Sequence, residues 1–250
     1  MLKHRCAACG SQDIRKDRSL GGRLVCNNCG SYAIGFARSL DGSSAFNPFN
    51  TDTRVMGFTV APTDWQYLIP AVLIIFVFVF SDLIPVFPKG DFAYWSGGLL
   101  LQPYRAITMH LFHANFGHLL SNVGGIIISR YFFLQLGLRS KLLFLLLVLL
   151  LMPLQAILKW LFDIFVVSNL SSFAIGFSGI AFGVDAFILM ASTYGKARFL
   201  GLDLGLSSNP QVRQTCLVFT VIGVVYSLLP GVDFVGHLVG FLAGLILFLL

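Results

Sequence analysis

Six stretches of this chain carry no charged side chain over lengths that match a lipid bilayer: residues 65–81, 106–129, 142–158, 164–184, 214–232 and 234–250. Each is close to the roughly 20 residues that cross a ~30 Å hydrocarbon core as a helix. The composition agrees. Of the 250 residues, 56% are apolar and 11% are charged, against about 25% charged in a typical soluble domain, and the mean hydropathy is +0.82. A soluble globule is excluded, and an all-α membrane protein with six transmembrane helices is the expected fold class. Asp82, Pro85 and Pro88 blunt the end of the first stretch, and the sixth reaches Leu250 after 17 residues, so it is either short or cut. The acids are 11 Asp and no Glu, which removes every mechanism that needs a glutamate, the HExxH metalloprotease motif among them.

Residues 1–63 are polar and hold eight of the Lys and Arg residues. They lack the basic start followed at once by an apolar core that marks a secretory signal, so this segment is expected to stay where it is made. Its second part, 39–63, is turn-rich at first and reads as a linker, which divides the chain into 1–38, a linker 39–63, and a six-helix domain 64–250. With the N-terminus inside, Lys3, Arg5, Arg15, Lys16, Arg18, Arg23, Arg38, Arg54, Arg130, Arg139, Lys141, Lys196, Arg198 and Arg213 fall on the cytoplasmic side, and Lys89, Arg105 and Lys159 fall outside. That asymmetry follows the positive-inside rule and puts both termini in the cytoplasm. The net charge of +6 therefore reports topology rather than a nucleic-acid partner. The loop between the first two stretches, with Phe87, Phe92, Tyr94, Trp95 and Tyr104, suits partial burial at headgroup depth.

Four of the five cysteines lie in the first 29 residues as Cys6-x2-Cys9 and Cys26-x2-Cys29. Two such knuckles supply four thiolates in the tetrahedral arrangement Zn²⁺ prefers, and Gly10 and Gly30 provide the permissive backbone that follows each knuckle. The expected module is a cytoplasmic, zinc-ribbon-like structural site. Redox dithiols or disulfides are the alternatives, the latter disfavoured in a reducing compartment. Four sulfur ligands leave no coordination position for catalysis, so the module is structural or a docking platform for lipid, nucleic acid or a protein partner, and no cofactor is expected for the chemistry. Cys216, alone in the fifth stretch, is expected to pack.

Polar and ionisable groups at membrane depth are costly and mark functional positions. Ser178, in Gly176-Phe177-Ser178-Gly179, is expected about six residues or ~9 Å below the external surface in the fourth helix, and His237 about four residues or ~6 Å down the sixth. Gly179 and Gly183 in one helix, with Gly236, Gly240 and Gly244 in the other, make small-residue faces that allow close approach. His237 can then reach Ser178 Oγ, as a base must to activate a nucleophile. His118 and Asn122, four apart in the second stretch, share a face and suit an oxyanion hole, or else hold helices together. His110 and His113 lie nearer the surface, where capping or packing is expected. Asp185 is too deep to orient His237, and Asp233 is expected at the interface in contact with solvent, so a dyad is the expected arrangement.

Taken in order, these motifs resemble the rhomboid intramembrane serine proteases over roughly residues 65–250: Tyr104-Arg105 in the first external loop, where the family usually has tryptophan-arginine; His113, His118 and Asn122 in the second helix; Gly176-x-Ser178-Gly179 in the fourth; His237-x-x-Gly240 in the sixth. The resemblance implies a Ser178–His237 dyad, an oxyanion site from His118, Asn122 and the Ser178 N–H, a loop role for Arg105, and cleavage of transmembrane protein substrates near the external face. Two positions depart from the family pattern. Phe182 stands where a tyrosine often stacks on the histidine, so the ring remains and the phenol is lost, and Gly236 replaces a usual alanine. The four-cysteine module is not part of the family core. The expectation is thus a serine-type intramembrane endopeptidase in a bacterial plasma membrane; the alternative is a non-catalytic relative that binds transmembrane clients.

Overall fold

The computed structural model describes residues 3–6, 11–17, 23–31, 34–37, 53–55, 58–60, 64–84 and 86–250. The chain divides into two compact units, 1–50 and 51–250.

In the first unit, β1 (Lys3–Cys6) and β4 (Ile34–Ala37) pair antiparallel, as do β2 (Ile14–Asp17) and β3 (Arg23–Cys26). The registers set Cys6 opposite Ile34 and Cys26 opposite Ile14, at the strand ends. The chain turns back there, with Cys6 N–H bonded to Ser11 O and Cys26 N–H to Ser31 O. Gly30, at φ +71°, occupies the left-handed region that a side chain would strain.

In the second unit, the expected linker contains a hairpin of β5 (Thr53–Val55) and β6 (Phe58–Val60); residues 39–52 lie outside the described ones. Six long helices follow: α1 (Trp65–Phe78), running on as a π-helical turn at Val79–Leu83, then α4 (Phe116–Gln135), α5 (Leu143–Phe165), α6 (Ser178–Tyr194), α7 (Pro210–Ser227) and α8 (Phe234–Leu249). The loop before α4 adds short helices α2 (Lys89–Phe92) and α3 (Arg105–Thr108), and a strand β7 (Tyr94–Trp95) paired with β8 (Phe173–Ala174). A hairpin of β9 (Lys196–Phe199) and β10 (Leu202–Leu206) joins α6 to α7. The expected all-α class therefore holds for the bundle and not for the chain as a whole.

The helix starts correct the expected boundaries. α4 begins at Phe116 rather than at residue 106, because Asn115 caps it by accepting from His118 N–H at 2.9 Å. α6 begins at Ser178 rather than at residue 164, so Ser178 opens its helix instead of lying two turns inside it. Pro210 at the first turn and the Asn209 cap start α7 four residues early. Among the described residues, Trp65–Leu83 and Leu143–Phe165 are long and apolar enough to cross a membrane, and Ser178–Tyr194 and Phe234–Leu249 are shorter apolar helices.

α6 runs through the centre of the bundle, with Ile180, Val184, Phe187, Ile188 and Ala191 buried against its neighbours. Polar contacts lock the periphery. Asp64, before α1, takes two bonds of 2.7 Å from Arg130 of α4, a bidentate geometry that fixes orientation as well as distance. Gln66 is fully buried and accepts from Phe144 N–H at 2.9 Å, satisfying a donor that the first turn of α5 leaves open.

Candidate active site

Backbone sterics bring α6 and α8 together. A Cβ at Gly240 would overlap Gly179 O, one at Gly244 would overlap Gly183 O, and one at Gly183 would stand 2.9 Å from Gly240 O. The two glycine faces interleave backbone against backbone, the approach that only small residues permit. This sets the first residue of α6 beside the first turn of α8, and His237 Nε2 lies 2.8 Å from Ser178 Oγ. His237 is 6% exposed.

Gly176 shapes the approach to the serine. Its φ is +127°, and a Cβ there would come within 2.5 Å of the His118 ring, so a side chain is barred by both conformation and space. Its N–H is bonded to Met109 O at 2.8 Å, which ties the strand before Ser178 to the loop before α4. The first turn of α6 leaves N–H groups without intrahelical partners, and Ser178 carries the first of them.

Two further contacts hold the imidazole. Phe182, one turn after Ser178, stacks on His237 with ring centroids 4.5 Å apart and planes 15° apart. The apolar ring thus keeps the stacking place expected of it without a phenol. Gly223 of α7 makes room for that ring, since a Cβ there would lie 2.7 Å from Phe182 Cζ. On its other side His237 Nδ1 lies 2.5 Å from Ser227 Oγ, at the last residue of α7. Sequence reasoning missed Ser227. A serine towards the end of the fifth stretch, seven residues before the sixth begins, was its sole signal.

His118 and Asn122 line a cavity of about 1000 Å³ together with Ser178 and His237. Ala114 N–H points at His118 Nδ1 at 3.5 Å. Asn122 is 3% exposed, and its Nδ2 has no hydrogen-bond acceptor among the described residues. His113 lies before α4 rather than in it, and its ring packs edge-on against His118 at 5.2 Å. Both His110 and His113 are fully buried in the segment before α4; His110 Nε2 is 3.0 Å from Met152 O.

The loop between α1 and α4 is pinned from inside. Arg105 is 6% exposed; it donates to Gly90 O at 2.8 Å, to Ala93 O at 2.6 Å and to Gln102 Oε1. Lys159 is buried in α5, 3.5 Å from Asp163 and 3.3 Å from Asp233. Asp233 caps α8 by accepting from Gly236 N–H at 2.9 Å and pairs with Lys159, while its side chain stays 36% exposed to solvent as expected. A Cβ at Gly236 would overlap that carboxylate, which gives the glycine a local reason. Tyr94 O–H donates to Asp163 at 2.8 Å; burial and then this bond push its phenol pKa up, so it remains a donor at any physiological pH. Asp185 turns away from His237 and accepts from Cys216 Sγ at 2.9 Å and from Thr220 Oγ1, so Cys216 hydrogen-bonds as well as packs.

In the first unit the Cys6, Cys26 and Cys29 sulfurs lie within 4.8 Å of one another, with Cys6 and Cys29 at 3.5 Å. Cys9 lies outside the described residues. Tetrahedral zinc with Zn–S bonds near 2.3 Å sets neighbouring sulfurs about 3.8 Å apart, so the three thiols fit such an ion.

A serine and a histidine thus stand in hydrogen-bond contact beside a cavity in an apolar helical bundle. The Rhomboid domain family model matches residues 100–250, more than half of the chain, and the chain belongs to this family of integral membrane proteins. No curated protein matches the chain.

Proposed function

We propose that the protein is an intramembrane serine endopeptidase that hydrolyses peptide bonds of transmembrane substrates near the external membrane face, with Ser178 as nucleophile and His237 as base. The contact of 2.8 Å between Ser178 Oγ and His237 Nε2 carries this reading, because a nucleophilic hydroxyl needs its base within hydrogen-bond reach. Six membrane spans with both termini cytoplasmic fit the six long helices and the charge asymmetry.

In the first step Ser178 Oγ bonds to the scissile carbonyl carbon while its proton passes to His237 Nε2. The oxyanion so formed is met by the Ser178 N–H, His118 and Asn122. The unpartnered Asn122 Nδ2 and the Ala114 N–H directed at His118 Nδ1, which leaves Nε2 as the donor, support these roles. The C–N bond then breaks and the leaving amine takes the proton from Nε2. Water, deprotonated by the same nitrogen, attacks the acyl-enzyme and releases Ser178. The cavity of about 1000 Å³ gives that water a route to a depth where lipid would exclude it.

For the first unit, a structural Zn²⁺ held by Cys6, Cys26 and Cys29, with Cys9 as fourth ligand, is the favoured occupant. The module would anchor the N-terminus or recruit a protein partner.

The test is cleavage of single-span substrates in proteoliposomes by the wild type, Ser178→Ala and His237→Ala, with fluorophosphonate labelling as a substrate-independent readout. Cleavage and labelling of the wild type, both lost in each variant, is the expected result. Cleavage that survives Ser178→Ala would sink the serine mechanism, and a folded wild type that neither cleaves nor labels would favour the client-binding alternative.

A further inference from the structure

We infer that Ser227 is the positioning residue of the dyad: its oxygen accepts from His237 Nδ1–H and holds the imidazole in the one tautomer that can take a proton from Ser178. The inference rests on the protease reading and adds a third group to it.

A neutral imidazole offers one nitrogen as donor and the other as acceptor. For His237 to act as base, Nε2 must present its lone pair to Ser178 Oγ–H, which leaves the hydrogen on Nδ1. At this burial an N–H without an acceptor is costly. Ser227 Oγ stands 2.5 Å from Nδ1. A serine hydroxyl is ambivalent, however, and by itself could donate to Nδ1 and select the inert tautomer.

The second contact of Ser227 decides the direction. Its Oγ lies 2.7 Å from Gly223 O, the carbonyl one turn earlier in α7. A carbonyl only accepts, so the single Ser227 hydrogen is committed to Gly223 and a lone pair faces Nδ1. The bonds then run one way, from Ser178 through His237 and Ser227 to the Gly223 carbonyl. Turning the Ser227 hydrogen towards Nδ1 instead would forfeit the bond to Gly223. Neither nearby carboxylate competes for Nδ1: Asp233 is engaged by Gly236 N–H and Lys159, and Asp185 by Cys216 and Thr220. Ser227 is 2% exposed, so solvent does not readily substitute for it. Once Nε2 gains the proton, Nδ1–H becomes a charge-assisted donor and its bond to Ser227 strengthens, which favours the state towards which the reaction moves.

The experiment compares the full-length wild type, Ser227→Ala and Ser227→Thr on one single-span substrate in proteoliposomes, and reads the His237 tautomer by ¹⁵N-histidine NMR. Ser227→Ala is expected to lower kcat roughly ten-fold at unchanged KM, the size of one lost hydrogen bond. His237 should shift from Nδ1–H in the wild type towards a mixture with Nε2–H. Ser227→Thr keeps a hydroxyl able to bond the Gly223 carbonyl and should retain most of the rate and the wild-type tautomer. Ser227→Ala with wild-type kcat and an unchanged tautomer overturns the inference, as does a rate loss without a tautomer shift that threonine does not repair. Should Ser227→Ala not fold, the wild-type spectrum decides alone, and an Nε2–H form there overturns it. A wild type that neither cleaves nor reacts with fluorophosphonate fails the protease reading instead, and the tautomer comparison still reports on Ser227.

Discussion

Asn122 shows how a single side chain separates a structural from a chemical role. An asparagine that holds helices together spends its amide on partners, yet its Nδ2 is buried without one. Asn122→Ala therefore removes few native bonds. Activity should fall by about 10²-fold, the scale of a lost oxyanion donor, while thermal stability in detergent changes little; a large loss of stability at wild-type activity would point to helix bridging instead. The serine, the histidines and Asn122 were legible in the sequence because polar groups are rare in apolar stretches. Ser227 was not, since a serine among apolar residues is ordinary until its neighbours are known. Lys159 gave no sign of its partners for a related reason. Its buried site is tolerable only because Asp163 and Asp233 converge on it, and Asp233 is 74 residues away in the chain.

At the scale of elements, the α6–α8 seam is the feature on which the dyad depends. The carbonyls of Gly179 and Gly183 occupy the space where Cβ atoms of Gly240 and Gly244 would be, and backbone cannot swing aside as a side chain tip can. Gly244→Ala should force the helices apart and cost about 1–3 kcal/mol, as overpacking does, measured as a lowered unfolding midpoint in detergent. Because Gly244 lies two turns from His237, activity should fall at temperatures where the fold persists; wild-type stability in this variant would mean the seam is looser than it stands. The glycine spacing was readable as a packing face, while the helix starts were not. Asn115 and Asn209 act as caps, and the 166–177 segment leaves the helical path. Charge and hydropathy alone ran that apolar loop into the helix that follows it.

For the whole molecule, the two units face different physical problems. The bundle buries apolar helices around α6, whereas residues 1–50 are short for a hydrophobic core and need a staple. Metal analysis of the purified full-length protein should find about one zinc per chain, the stoichiometry of a four-thiolate site. Cys26→Ser should lower that content and loosen the first unit, seen as faster proteolysis of its hairpins. Protein purified without metal and resistant to zinc loading would remove the structural-zinc reading.

The sequence by itself determined the helical bundle, the division into a polar cysteine-bearing segment and that apolar bundle, and the polar residues that stand out within it, because burial in lipid makes each polar group conspicuous. It also carried the pairing of Ser178 with His237, through glycine periodicity on two helices. Only the tertiary structure decided where Ser178 sits in its helix, which groups surround Lys159, and what lies behind the imidazole. Those outcomes depend on contacts between residues far apart in the chain, and local pattern carries no record of a partner that arrives by folding.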